Sequence, residues 1–217
     1  MTLPSFELFT RPEKAWHQIL REEERNGWHY LPHLLLFSLL PALCLYLGTH
    51  FTGWTLAENE RVRLDGPSAL QLALALYVTI LLGTLLMGAC IRGLAYSFAR
   101  RPTLNQCVAF TAYLITPFFL SGLAALYPSR PLAIVCLGAA SLYATFLLYV
   151  GFPIFMQVRQ SKGFFFASAI WGVGLLLLVT ILVSMILHWN LYLDPEYVDL
   201  QETRAPNVAP REPNTSY

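Results

Sequence analysis

The sequence predicts an all-α fold: a polytopic membrane bundle of five transmembrane helices, N-in/C-out, preceded by a short amphipathic cytoplasmic helix. Three observations carry that prediction. The 217 residues are 56% hydrophobic and only 12% charged, against about a quarter charged in ordinary soluble domains. The charges are also clumped. None falls between Arg25 and Glu58, Asp65 and Arg92, Arg101 and Arg130, Arg130 and Arg159, or Lys162 and Asp194, and each gap holds the ~20 apolar residues that cross a hydrocarbon core. Finally, the basic residues are shared unevenly. An inside N-terminus places Arg11, Lys14, Arg21, Arg25, Arg92, Arg100, Arg101, Arg159 and Lys162 in the cytoplasm, and leaves Arg61, Arg63, Arg130, Arg204 and Arg211 outside. Nine against five favours N-in, and five spans then force C-out.

The spans fall at residues 31–51, 69–91, 104–127, 132–150 and 164–189, with an arm before them (1–30), a membrane domain (31–190) and an extracytoplasmic tail (191–217). No span has the polar outer face that a soluble bundle needs. The first starts after a charged stretch, too late for a secretory signal, and no small-residue cleavage site follows it. "LPALC" at residues 40–44 has Leu43 where a lipoprotein cleavage box needs a small residue.

In the arm, "TRPE" at residues 10–13 is a T-x-x-E capping box with proline near the helix start. Ala15, Trp16, Ile19 and Leu20 recur at helical spacing, with Lys14, Gln18, Arg21 and Glu22 on the other face. A helix lying on the bilayer surface and one packed under the bundle fit this pattern equally. "REEER" at residues 21–25 reads as a solvated face, and Trp28, His29 and Tyr30 as an interfacial aromatic belt.

The loop after the first span, residues 53–68, is polar, of mixed sign and without a motif; "YPSRP" at 127–131 is a tight turn joining spans three and four. The proline-rich tail, poor in apolar residues, predicts disorder.

The sequence speaks against most chemistry. The span interiors hold no Asp, Glu, Lys or Arg, the residues that ion-coupled carriers keep for function. HExxH, Walker and GxGxxG patterns are missing. His29 and His33 have i, i+4 spacing, but Pro32 lies between them and no carboxylate or thiol completes a metal site. His29, His33, His50 and His188 therefore read as interfacial hydrogen-bonding groups. Cys44, Cys90, Cys107 and Cys136 lack CxxC spacing and read as small packing residues. No catalytic residue, cofactor, metal or nucleic acid is expected.

Two interruptions remain. Thr116-Pro117 breaks the third span, and a lipid-embedded break requires neighbours, hydroxyls or water for the freed backbone groups. Tyr113, Thr116 and Ser121 are placed to serve. "LLYVGFPIFM" at residues 147–156 repeats the device: Gly151 and Pro153 end the fourth span just after Tyr149. Two kinks fit either a lined cavity or a bundle bent for packing. Thr84/Gly88, Ala140/Ala144, Ser141/Thr145 and Ser168/Gly172 are small-xxx-small pairs, suited to close packing within the bundle or to a face for a second copy or partner helix.

"QCVAFTAYLITPFFLSGL", a hairpin, then "LLYVGFPIFMQVRQSK" resemble the Yip1 superfamily in its compact bacterial inner-membrane branch, as does "TRPEKAW" near the N-terminus. The resemblance covers residue 9 to about residue 189. It implies five spans with a cytoplasmic N-terminus and singles out the tyrosine-x-x-x-proline Tyr113/Pro117, the "LYVGFPIFM" signature and the following Lys162. The aspartate-leucine-tyrosine motif and long N-terminal region of eukaryotic members are missing, so Rab-GTPase binding and vesicle traffic are not carried over. "VRQSKGFFFAS" replaces the branch's usual proline-acid-lysine and tyrosine-threonine pattern, so the resemblance assigns Lys162 no firm role.

The leading expectation is a non-enzymatic integral membrane protein of the bacterial inner (cytoplasmic) membrane that organises protein or lipid partners. Its site residues are Tyr113, Thr116, Pro117, Tyr149, Gly151, Pro153 and Lys162; its partners are the bilayer and a membrane protein or second copy. The alternative is a channel or facilitator for a neutral or apolar solute. A continuous water-lined cavity favours the alternative; a filled core favours the leading reading.

Overall fold

The computed structural model describes residues 4–57, 60–95, 101–127, 129–158, 160–192 and 196–198. Two helices precede the bundle, α1 (Pro4–Thr10) and α2 (Pro12–Arg25). The first span is α3 (Tyr30–Leu47), prolonged by a π-helical turn at Gly48–Thr52, and the second is α4 (Gly66–Leu94). The third is broken into α5 (Leu104–Leu114), α6 (Thr116–Ser121) and a 3₁₀ turn at Gly122–Leu126. α7 (Arg130–Phe155) and α8 (Gln160–Tyr192) complete the bundle. Five segments are thus long and apolar enough to cross a membrane, each within a few residues of its expected place. The chain is a multi-pass membrane protein.

The helix ends depart from expectation in two places. Thr10 closes α1 instead of capping α2; Arg11 stands at the N-cap without a side-chain bond. The Arg11 amide bonds the Glu7 carbonyl at 2.8 Å and the Ala15 amide the Arg11 carbonyl at 3.1 Å. α1 therefore runs almost directly into α2, and Thr10 lies inside that run, where it cannot cap. The capping box forms at α5, where the Gln106 amide bonds the Thr103 hydroxyl at 3.2 Å and the Thr103 amide the Gln106 side chain at 3.0 Å. Secondly, α7 passes through Gly151 and Pro153 and stops only at Phe155. Gln157 adopts φ 52°; Val158 then donates to the Pro153 carbonyl at 3.2 Å and Gln157 to that of Ile154 at 3.4 Å. This pair of bonds closes a helix with a left-handed residue.

The fold is not wholly α. Trp54–Ala57 (β1) and Glu60–Arg63 (β2) pair antiparallel, with a bulge between Thr55 and Ala57, in the loop read as polar and without a motif. Glu196–Val198 (β3) pairs antiparallel with β2, Arg61 opposite Val198, although it falls in the tail expected to be disordered. α3 and α4 bring the ends of the loop together, and α8 delivers the chain beside the free edge of β2, whose backbone groups take a third strand. The rest of the tail lies outside the described residues. Pairing of β2 with β3 also puts the end of α8 on the same face of the bundle as the α3–α4 connection.

Close backbone approaches hold the bundle. A side chain at Gly88 would run into Val108 of α5, one at Gly122 into Pro41 of α3, and one at Gly48 into the Ala125 carbonyl. Thr84 and Gly88 therefore serve packing within the bundle, whereas Gly172 opens to the exterior. Phe110, Tyr113, Phe119, Leu147 and Phe152 fill the centre with almost no exposure. α8 lies at the periphery, with Phe164, Phe165, Leu176, Ile186 and Leu191 among its exposed residues.

Candidate functional site

Proline 117 has no amide hydrogen for the Tyr113 carbonyl, its partner four residues back. The Thr116 hydroxyl takes its place, donating to that carbonyl at 2.7 Å. Thr116 Oγ1 also lies 3.2 Å from His33 Nε2, and the imidazole tautomer sets which of the two donates. The imidazole stacks on Tyr113 (4.5 Å, 19°) and tilts against Phe37 (4.4 Å), and the Ala112 backbone also hydrogen-bonds it. Ser121 bonds the Phe118 carbonyl at 2.8 Å. His33 thus belongs to the bundle interior and not to an interfacial belt. The ladder is broken at Ile115, and α3 supplies the ring that completes the repair.

The second interruption works differently. Gly151 faces α2, and a side chain there would occupy the space of the Trp16 indole. Trp16 is fully buried, 4.9 Å from Phe110 of α5 and edge-on to Phe155 of α7 at 5.9 Å. Ala15, Ile19 and Leu20 are buried with it, while Glu13, Lys14, His17 and Arg21 are exposed. The arm also reaches well up α7: the Tyr143 hydroxyl donates to the Leu8 carbonyl at 2.9 Å, and Phe9 stacks on its ring at 5.1 Å. Tyr143 lies twelve residues before the end of α7, roughly 18 Å along its axis. α1 and α2 therefore run alongside α7 instead of lying flat beneath the bundle.

Tyr149 and Pro153, one turn apart, face α8. The Tyr149 hydroxyl is 2.9 Å from Ser168 Oγ, its ring stacks on Phe164, and Pro153 adjoins Gly163. Lys162 lies in the first turn of α8; its side chain lies outside the described residues. Hence the two tyrosine-proline breaks do not converge: Tyr113 and Thr116 look toward α3 and Pro117 is buried beside them, Tyr149 and Pro153 look toward α8, and Gly151 toward the arm. Between them stands packed aromatic core. A pocket at the foot of α2, α5 and α7, touched by Leu20, Gln106 and Phe155, has about 10 Å³ of free space, about one water.

Glu23, on the same face of α2 as Trp16, is only 3% exposed. Neither carboxylate oxygen has a hydrogen bond of ordinary geometry among the described residues. Burial pushes its pKa from 4.5 up to about 7; the Tyr30 amide pulls the other way and Glu22 adds to the rise. Tyr113 lies within electrostatic reach of both glutamates. Glu22 itself is bonded to Gln18 at 2.9 Å and to His29 at 3.2 Å.

Sequence reading thus missed two groups, His33 and Glu23. Glu23 occupies the buried stripe (15, 16, 19, 20, 23), a register that was legible beneath the charge of "REEER". The partnership of His33 with Thr116 spans 83 residues and left no local trace.

The comparisons with known proteins follow this architecture. The chain is 35% identical over 183 residues to the inner membrane protein YohC of Escherichia coli strain K12, covering 84% of this chain and 94% of that protein. YohC of Escherichia coli O6:H1 matches to the same extent. No solved structure matches. The Yip1 domain matches residues 6–181, a range that takes in the arm, the helix break, the Gly151 notch and most of α8. The chain is a member of the Yip1 domain family.

Proposed function

We propose that this protein is a non-enzymatic organiser of protein or lipid partners in the bacterial inner membrane, with a cytoplasmic N-terminus and an amphipathic arm. One observation carries the reading: the centre of the bundle is filled by Phe110, Phe119, Leu147 and Phe152, and the polar groups at the helix break are engaged with one another. A pathway for a solute would need them turned to a cavity. The exposed flank of α8 offers the lateral surface that a partner or a lipid would meet.

The test is photo-crosslinking in native membranes from Phe165 or Leu176, replaced one at a time by a photoreactive residue. A reproducible crosslinked protein or lipid is expected. No specific adduct, together with solute flux through the purified protein in liposomes, would overturn the reading in favour of a channel.

Orientation has its own test, motivated by the nine basic residues assigned to the cytoplasmic side. A phosphatase fused after Trp189 should be active outside the cytoplasm, and one fused after Arg101 inactive. The reverse pattern would sink the orientation.

A further inference from the structure

Glu23 is an ionisable side chain sealed into the seam between the arm and the bundle. Burial, the Tyr30 amide and Glu22 are what act on its titration, and none of them is a cation. Glu22, on the same helix, adds negative charge and is already held by Gln18 and His29. From α3 comes the Tyr30 amide, and from α5 the neutral phenol of Tyr113. α7 meets α2 with Gly151 and the apolar Phe155 and Met156. A neutral carboxyl is tolerated in such a place far better than a carboxylate. The rest of the buried face (Ala15, Trp16, Ile19 and Leu20) is apolar and indifferent to pH.

We propose that Glu23 is a proton-operated latch: with its carboxyl protonated, α2 stays seated along α7, and on ionisation the helix lifts and turns its apolar face to the bilayer surface. A charged carboxylate gains full hydration when α2 leaves the seam, and Trp16, Ile19 and Leu20 then find lipid instead of Phe110 and Phe155. An amphipathic helix with one tryptophan-bearing face suits that second position. The latch depends on the docking geometry alone and does not require the organiser role.

The sign follows from linkage. The seated carboxyl titrates at about 7 instead of 4.5, so docking is unaffected below about 4.5. It weakens as pH rises through the interval up to about 7 and stays weak above it. The full change is on the order of a hundredfold in the docking equilibrium.

The experiment is amide hydrogen exchange of the whole protein in lipid nanodiscs from pH 5 to 8.5, with exchange times scaled for the intrinsic rate. Protection of the α2 amides should fall by up to a hundredfold across the series, while that of α4 and α7 holds. Glu23→Gln should keep α2 protected and flat with pH; Glu22→Gln and His29→Gln should keep the step. The proposal is overturned by a flat wild-type profile, by a Glu23→Gln profile that falls like the wild type, or by a loss shared with α4 and α7. It is equally overturned if either control variant abolishes the step. Should Glu23→Gln fail to fold, the wild-type profile decides alone.

Discussion

Trp16→Ala is expected to unseat the N-terminal arm at a cost of about 3 kcal/mol, toward the lower end of the range for truncating a buried tryptophan. The lower end applies because the freed arm can return part of its apolar surface to lipid. The indole fills the notch over Gly151 and touches Phe110 and Phe155, so its removal leaves a void that three helices line. Its ring nitrogen has no hydrogen-bond partner among the described residues. Trp16→Phe should therefore be tolerated far better, since the ring is what the notch holds. Gly151→Ala attacks the same contact from the other side and should cost about 1–3 kcal/mol by overpacking. In the double variant the two losses should fall short of their sum, because each removes the same contact. Unfolding in detergent, alongside exchange of the α2 amides, measures all four proteins. Additive losses would mean that Trp16 and Gly151 do not meet.

Thr116→Val should rank next, at about 2 kcal/mol. It strips the Tyr113 carbonyl of the hydroxyl and removes one of the imidazole's hydrogen bonds, and a buried group left unpaired costs about 1–3 kcal/mol in water-soluble proteins, less among membrane helices. Pro117→Ala, in contrast, supplies the amide that the Tyr113 carbonyl lacks and should be close to neutral. In the Pro117→Ala background, Thr116→Val should cost less, since the new amide can serve that carbonyl in place of the hydroxyl. Thermal unfolding of the purified variants is the measurement. An equal cost in both backgrounds would show that the hydroxyl does not stand in for the proline's missing donor.

The sequence by itself determined what the bilayer enforces. A span must be long, apolar and internally hydrogen-bonded whatever its neighbours are, so the five segments, their approximate ends and the break at Thr116-Pro117 were legible from composition and local order. The apolar stripe of α2 was legible for the same reason. Only the tertiary structure decided what those features face. It seats Trp16 on Gly151, making a glycine that reads as a helix end into a receptor for the arm. It sets His33 against Thr116 across 83 residues and turns Tyr149 and Pro153 away toward α8, so two similar interruptions serve separate interfaces. It pairs β3 with β2 from opposite ends of the chain. It also takes Glu23 out of a run of charges and buries it. The physical reason is common to all of these. Hydropathy and propensity act within a few residues, whereas a glycine notch, a shared hydroxyl, a strand edge and a desolvated carboxyl exist only once distant helices have packed.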